Sequence, residues 1–428
     1  MMNPIATLCL ATALITPLAS AWGAEFQADV PQDAPGDFAC HAALAEGFGG
    51  LVVWERGLAS DAPLAIYGQW IDAAFEADGP EVVISAHAQG PMWRPRVVLT
   101  NPDEALVIWA DGREHSPLQG PYGGFQIRGA VLKRGASGDS VQDFQVVPPG
   151  STIEPVMVRD RMNERVAMGW VGSDNRFQTA VYPLERLAEA SGGGALTGGK
   201  RLPPAWSLCA LALTGEGHLA RFHQWRFGEA HVEVFDTATA EKGGETPVAF
   251  DFLKSVLAPQ IETHGGGYFH DYATMTVNRN GDIGVAGAIC RSNDSPARFE
   301  VVGYAASVIP ADGGKQRTAY WIGAVPTEVN VCRPAIAFSG DEPVLFLPIR
   351  PDPAKADVSL LVTVLPAAEA EDRAISEANG DLYPLPAELN QFSVILADDG
   401  ATGKAALVAT SGSNPSRLGV WPSELIGF

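Results

Sequence analysis

The sequence predicts an all-β protein: a seven-bladed β-propeller of four-stranded antiparallel blades, the last completed by the N-terminal strand. Three observations lead there. A pair of strands returns about every sixty residues, the second strand of most units is a continuous apolar run, and the two chain ends complement each other.

The repeat is clearest in three places. "GGLVVWERG" (49–57) is followed by "LAIYGQWIDA" (64–73), "EALVIWADG" (104–112) by "FQIRGAVLK" (125–133), and "ERVAMGWVGS" (164–173) by "RFQTAVYPLE" (176–185). Each is an apolar run ending in Trp54, Trp109 or Trp170, then a polar turn, then an alternating strand. Weaker copies continue to "KAALVATSG" with "RLGVWPSEL". The seven pairs begin at Leu51, Leu106, Val166, Leu219, Ile283, Val344 and Ala406, at intervals of 55, 60, 53, 64, 61 and 62 residues. Six units carry a strand before the pair, from "RPRVVLT" to "NQFSVILADDG", and several a polar fourth strand, as in "DFQVVPP" and "RTAYWIG". An all-apolar strand needs cover on both faces. A lone four-stranded unit cannot supply it, whereas radial stacking of units does. The three tryptophans share one repeat position and are assigned to blade core.

The ends close the ring. The last unit stops after its third strand in "RLGVWPSELIGF", and "EFQADVP" (25–31) is similar to the fourth strand "DFQVVPP" (143–149). Closure of this kind removes two open sheet edges.

Residues 1–24 hold no charged side chain, an apolar stretch from Ile5 to Leu18, and the small-x-small pattern Ala19-Ser20-Ala21. This reads as a secretory signal peptide over 1–21, with cleavage after Ala24 as the alternative; the apolar stretch is shorter than the ~20 residues a spanning helix needs. The expected product is an exported, periplasmic or extracellular protein with 25–428 as one propeller domain. Its 29 Lys and Arg against 50 Asp and Glu give a formal charge of −21. That balance argues against nucleic acid and against insertion into an anionic membrane, since those surfaces select basic footprints.

Four cysteines follow the signal, Cys40, Cys209, Cys290 and Cys332, with no CxxC or Cys/His metal spacing. Cys290 ends the second strand of the fifth unit and Cys332 opens the first strand of the sixth, so a Cys290–Cys332 disulfide is expected. Cys40 and Cys209 fall three blades apart, beyond the ~7 Å a disulfide spans.

The repeats "VVWE" with "IYGQWID", and "RPRVV" with "LVIWADGR", resemble those of secreted bacterial β-propellers of the broad sialidase-like type, across nearly all of 25–428. The resemblance implies fold only. A sialidase Asp box reads S-x-D-x-G-x-x-W, and the nearest match, "SGDEPVLF" from Ser339, has Pro343 and Phe346 at the glycine and tryptophan positions.

In an alternating blade, the loop entering the first strand and the loop leaving the second share a face. The entering loops are predicted to carry His41, Trp93, Arg94, Glu154, "HGGGYFHDY" (264–272) and Arg333; the leaving loops carry Glu55, Arg56, Asp111 and Arg113. Charges of both signs with aromatic rings suit sugar or peptide recognition. The predicted ligand-binding residues are therefore Arg94, Asp111, Arg113, Glu154, Tyr272 and Arg333, and the predicted function is binding of a glycan or protein on this face. The alternative is a carbohydrate-active hydrolase or lyase at the channel mouth, with His270 and Asp271 as acid and base and His264 beside them. A structural envelope interaction module is a second alternative. The His-Gly-Gly-Gly run suggests an oxyanion hole, but no G-x-S-x-G elbow is present to use one. No cofactor is predicted; a divalent metal on His264, His270 and His41, as in some seven-bladed lyases that these blades broadly resemble, stays open. "NRNGD" (278–282) and "ADDG" (397–400) lack a distal Glu and read as hairpin turns, not calcium loops.

Overall fold

The computed structural model describes the chain from Glu25 to Pro422, except residues 27–36, 46–48, 58–63, 75, 86–91, 115–123, 137–140, 151–152, 161–163, 173, 175, 192, 206–209, 215–216, 227–228, 249–266, 270–272, 294–297, 326–333, 353–357, 368–373, 377–379, 385–388, 397–404 and 412–416. After β1 (Glu25–Phe26) the first sheet holds β2 (Asp37–Ala45), β3 (Gly49–Gly57), β4 (Leu64–Ile71) and β5 (Val82–Ser85). The second holds β6 (Met92–Asn101), β7 (Glu104–Asp111), β8 (Gln126–Lys133) and β9 (Asp143–Val147). The third holds β10 (Ile153–Asp160), β11 (Arg165–Val171), β12 (Phe177–Pro183) and, after helix α1 (Glu185–Ala190), β13 (Lys200–Arg201). The fourth holds β14 (Ala210–Leu213), β15 (His218–Arg226), β16 (Glu229–Asp236) and β17 (Lys242–Val248). The fifth holds β18 (Gly267–Phe269), β19 (Thr274–Val277), β20 (Ile283–Asn293), β21 (Arg298–Ile309) and β22 (Arg317–Ile322). The sixth holds β23 (Ala335–Ser339), β24 (Glu342–Ile349), β25 (Ser359–Val364) and β26 (Gly380–Pro384). The seventh is β27 (Leu389–Leu396), β28 (Ala405–Ser411) and β29 (Arg417–Pro422), with β1 on its outer edge.

The seven sheets are antiparallel meanders, six of four strands and one of five. Their first strands contact one another in the cycle β2–β6–β10–β14–β19–β23–β27 and back to β2. Sheets joined in a ring by their innermost strands make a β-propeller. The predicted closure holds as well: Glu25 pairs with Gly419 and Phe26 with Leu418, so the N-terminal strand supplies the fourth strand of the last sheet.

Burial follows the sequence pattern strand by strand. Seven of the eight residues of β7 and seven of the eight of β24 are buried, because these second strands pack between two neighbouring sheets. Fourth strands sit on the outside, and both residues of β13 are exposed. The core is therefore a set of inter-sheet layers. Leu106, Ile108, Phe125 and Phe144 of the second sheet meet Met168, Trp170, Ala180 and Tyr182 of the third; Ala286, Tyr304 and Trp321 of the fifth meet Ile336, Leu345 and Leu361 of the sixth. Trp54, Trp109 and Trp170 are all buried, as their shared repeat position requires. Close approach also fixes some glycines. A Cβ on Gly169 would stand 2.3 Å from the Phe177 ring and 2.9 Å from Val156. Gly169→Ala is expected to cost about 1–3 kcal/mol by overpacking, read as a lower Tm in thermal melts.

One end of the ring is latched in a single direction. In the second to sixth sheets the connection after the third strand grips the preceding sheet. Arg134 donates to Ile71 O at 3.2 Å, pairs with Asp78 and lies 4.6 Å over the Trp70 ring. Leu196 N–H donates to Gln145 O at 2.7 Å, next to a parallel bridge between Gln145 and Ala195. Thr237 Oγ1 lies 2.9 Å from Asp160 Oδ2, Gln316 Nε2 donates to Pro247 O at 2.7 Å, and Ile375 N–H donates to Tyr320 O at 2.7 Å. The first-to-second-strand hairpins are at this end too. "NRNGD" forms one of them, with Asn278 Oδ1 accepting from Asn280 N–H and Asp282 N–H and Gly281 at φ +86°. That is the turn the sequence predicts.

Candidate functional site

At the opposite end, the innermost strands share a defect. The ladder between first and second strands slips near its start in β2 between Phe38 and His41, in β6 between Trp93 and Arg96, in β10 between Ile153 and Val156, and in β27 between Leu389 and Gln391. In the fifth sheet, β18 ends at Phe269 opposite Ile289 and β19 begins at Thr274 opposite Ala286. Interruptions thus recur at one height, on the rim of the ring. β-bulges re-aim side chains and cluster beside active sites.

The residues left over by the bulges include several that the sequence singles out. Arg94 with Pro95 occupies the β6 bulge and Glu154 with Pro155 the β10 bulge, and Arg333-Pro334 stands at the same repeat position in the sequence. Proline has no N–H for the ladder, so a bulge is where an innermost strand tolerates it. Pro95 and Pro155 thereby mark the bulges from sequence.

Arg94 has φ +55°, in the left-handed region that costs a non-glycine residue about 1–2 kcal/mol. Its N–H donates to Oε1 of Glu55, a β3 side chain only 5% exposed. A buried carboxylate of the first sheet thus pins the strained bulge of the second. Next to it, His41 Nδ1 accepts from Val97 N–H at 3.4 Å. Arg56 is buried, donates to both carboxylate oxygens of Glu81 at 2.5 and 3.0 Å, and lies 4.4 Å over the Tyr67 ring. The sequence expectation that His41, Trp93, Arg94, Glu154, Glu55, Arg56 and Asp111 lie in loops needs correction: all seven are strand residues, the strands running further toward the rim.

Asp111 and Arg113 form a fixed unit. Asp111 is fully buried at the end of β7 and accepts from Trp109 Nε1 at 3.1 Å, from Arg113 N–H at 3.0 Å, and from Arg113 Nε and Nη2 at 2.8 and 2.7 Å. Arg113 also donates to Asp143 at 2.6 Å, and Arg128 donates to both oxygens of Asp143 at 3.0 and 2.9 Å. Asp111 therefore acts by positioning Arg113. Burial alone would lower the pKa of Arg113, but the hydrogen bonds and charges of Asp111 and Asp143 outweigh it, and the guanidinium titrates above its ordinary value. Burial alone would raise Asp143, yet hydrogen bonds and charges from Arg128 and Arg113 hold its carboxyl below the ordinary 3.8. The folded state thus binds that proton more weakly than the unfolded one. Its stabilising contribution is present above pH 3.8 and lost as pH falls through the lowered value. Asp143→Asn is expected to remove this part of the acid sensitivity, measured as Tm against pH from 6 to 2.5.

The other predicted residues are placed only in part. Glu154 lies in β10. Cys290 lies in β20 with Val301 and Tyr268 as its ladder partners, and Cys40 lies in β2. His264, His270, Asp271, Tyr272, Arg333, Cys209 and Cys332 lie outside the described residues. Among the described residues no group of three or more His, Cys, Asp or Glu side chains could hold a metal ion, and no helix is long and apolar enough to cross a membrane.

A second charged cluster, which sequence reading missed, joins the third and fourth sheets. Arg221, 1% exposed, donates to Glu233 Oε2 at 2.5 and 3.1 Å and to Pro203 O at 2.7 Å. Lys242 donates to Glu233 Oε1 at 2.7 Å and pairs with Glu245.

Comparison of the sequence with known protein families and with curated proteins gives no match. Solved structures do match in fold. A polysaccharide lyase shares 11% identity, covering 90% of this chain and 90% of its own at a TM-score of 0.50. An ulvan lyase of a new polysaccharide lyase family shares 10% identity, covering 91% of this chain and 94% of its own at 0.51. At such identities the likeness is one of fold, and the β-propeller is the class that fold and ring topology define.

Proposed function

We infer that this protein is a carbohydrate-active enzyme, a hydrolase or lyase, which takes its glycan on the bulged rim. The observation that carries the reading is the alignment of the bulges. In four innermost strands the ladder slips at the same end, and two of these slips set Arg94 and Glu154 at equivalent positions. Such a rim lets side chains from several sheets converge on one ligand, and strained backbone of the Arg94 kind concentrates at functional sites. The fold shared end to end with polysaccharide lyases supports a glycan over a protein ligand. Each sheet is one blade of seven, 25–428 is one domain, and the protein is exported. The relation to propellers of the sialidase-like type is one of fold.

Within this reading, Arg94 and Arg333 hold an anionic or polar sugar substituent. His270 and Asp271, between β18 and β19 in the sequence, with His264 ahead of β18, supply proton transfer, and Tyr272 binds the glycan beside them. The test is incubation with a panel of acidic and neutral polysaccharides, scoring new reducing ends and new carbon–carbon double bonds. Double bonds identify a lyase and reducing ends alone a hydrolase. Glycan retention without cleavage, unchanged in His270→Ala, replaces the enzyme by a binding module.

A further inference from the structure

The seam between the third and fourth sheets contains a histidine whose surroundings fit one protonation state only. His223 on β15 is 8% exposed, and neither ring nitrogen has a hydrogen-bond partner. It pairs in register with His231 of β16, and the two rings stack at 5.7 Å with planes 20° apart. The nearest carboxylate oxygen, Glu233 Oε2, stands 3.5 Å from His223 Nε2. That carboxylate is already engaged by Arg221 and Lys242. The next, Glu245, is paired with Lys242 and lies 3.2 Å from His231 Nδ1 without hydrogen-bond alignment.

These are the charges acting on the ring: Glu233, Arg221, His231 and Glu245, with Lys242 bridging the two carboxylates. From the third sheet the same face receives Thr179 and Pro203, neither of them titratable, both in contact with Arg221. A neutral imidazole leaves one buried N–H without an acceptor. An imidazolium would leave two, beside a guanidinium and a stacked second imidazole, in a place where water does not reach.

We propose that His223 is a pH-sensitive strut: neutral, it holds the third and fourth sheets together, and on taking up a proton it loosens that seam selectively. The sign follows from linkage. Burial is the largest influence and presses the folded-state pKa below the ordinary 6.5; Glu233 and, more weakly, Glu245 pull the other way, while Arg221 and His231 add to the lowering. The folded state then binds this proton less readily than the unfolded state. Stability from His223 is complete above pH 6.5 and is lost as pH falls toward the lowered folded value. Glu233, whose own pKa is also lowered, acts only below its ordinary 4.5, outside the range from pH 7.5 to 5.

The experiment is amide hydrogen exchange of the whole protein between pH 7.5 and 5, corrected for intrinsic rates. The amides of β15 and β16 are expected to lose protection by about tenfold per pH unit within the window, while those of β7 and β24 keep theirs. His223→Gln is expected to flatten the response. If that variant fails to fold, an NMR titration of the wild-type His223 ring decides instead. A ring pKa at or above 6.5, or loss of protection spread equally over all sheets, overturns the proposal.

Discussion

Glu233→Ala is expected to lower stability by about 3–5 kcal/mol, the cost of breaking a buried ion pair by deleting one partner. Glu233 balances two cations, and one of them cannot escape: Arg221 is 1% exposed between sheets, with Phe235 4.8 Å from its guanidinium. Without the carboxylate, Nε loses its acceptor and Nη2 its 2.5 Å partner, while Pro203 O and Thr179 Oγ1 hold only Nη1. Lys242 is more exposed and can turn to water, so Lys242→Ala is expected to cost under about 1 kcal/mol. Chemical denaturation of the two variants side by side reads the difference. Equal losses would mean that the buried guanidinium tolerates being unpaired.

Arg94→Gly is expected to reduce glycan turnover by roughly 10²-fold, the usual effect of removing one well-placed donor to a substrate, with the protein still folded. Glycine adopts φ +55° without strain, so the bulge and the Arg94 N–H bond to Glu55 survive. Only the side chain is lost. Arg94→Ala keeps the strain as well and serves as a control for backbone effects. A variant that keeps full turnover would remove Arg94 from the site.

The fold was legible because a propeller writes its core as a period. β3, β7 and β11 each end near a buried tryptophan, and the apolar second strands announce their two-sided cover. The outer strands were faint for the opposite physical reason. β13 has two exposed residues and β17 begins Lys-Gly-Gly-Glu, with little apolar alternation to find. Sequence puts Cys40 on an inner strand but leaves His41 in the entering loop, because the extent of β2 shows only through pairing with β3. Helix α1 was missed too: six residues after Pro183 leave too little length for a helical period.

For the site, the X-Pro pairs Arg94-Pro95 and Glu154-Pro155 were visible and fell on the bulges. What made Arg94 special was not visible, since its clamp, Glu55, is 39 residues away. The same holds for Arg221 and Glu233. Pairing across a hairpin depends on register, and register is set by the whole ladder rather than by any local motif.

The most direct test of the central claim is product analysis after incubation of the purified protein with a polysaccharide panel, wild type against Arg94→Gly. At least one glycan is expected to be shortened by the wild type, and the variant, still folded, is expected to be deficient on that glycan. A folded wild type that cleaves no glycan in the panel, whether or not it retains one, would contradict the central claim.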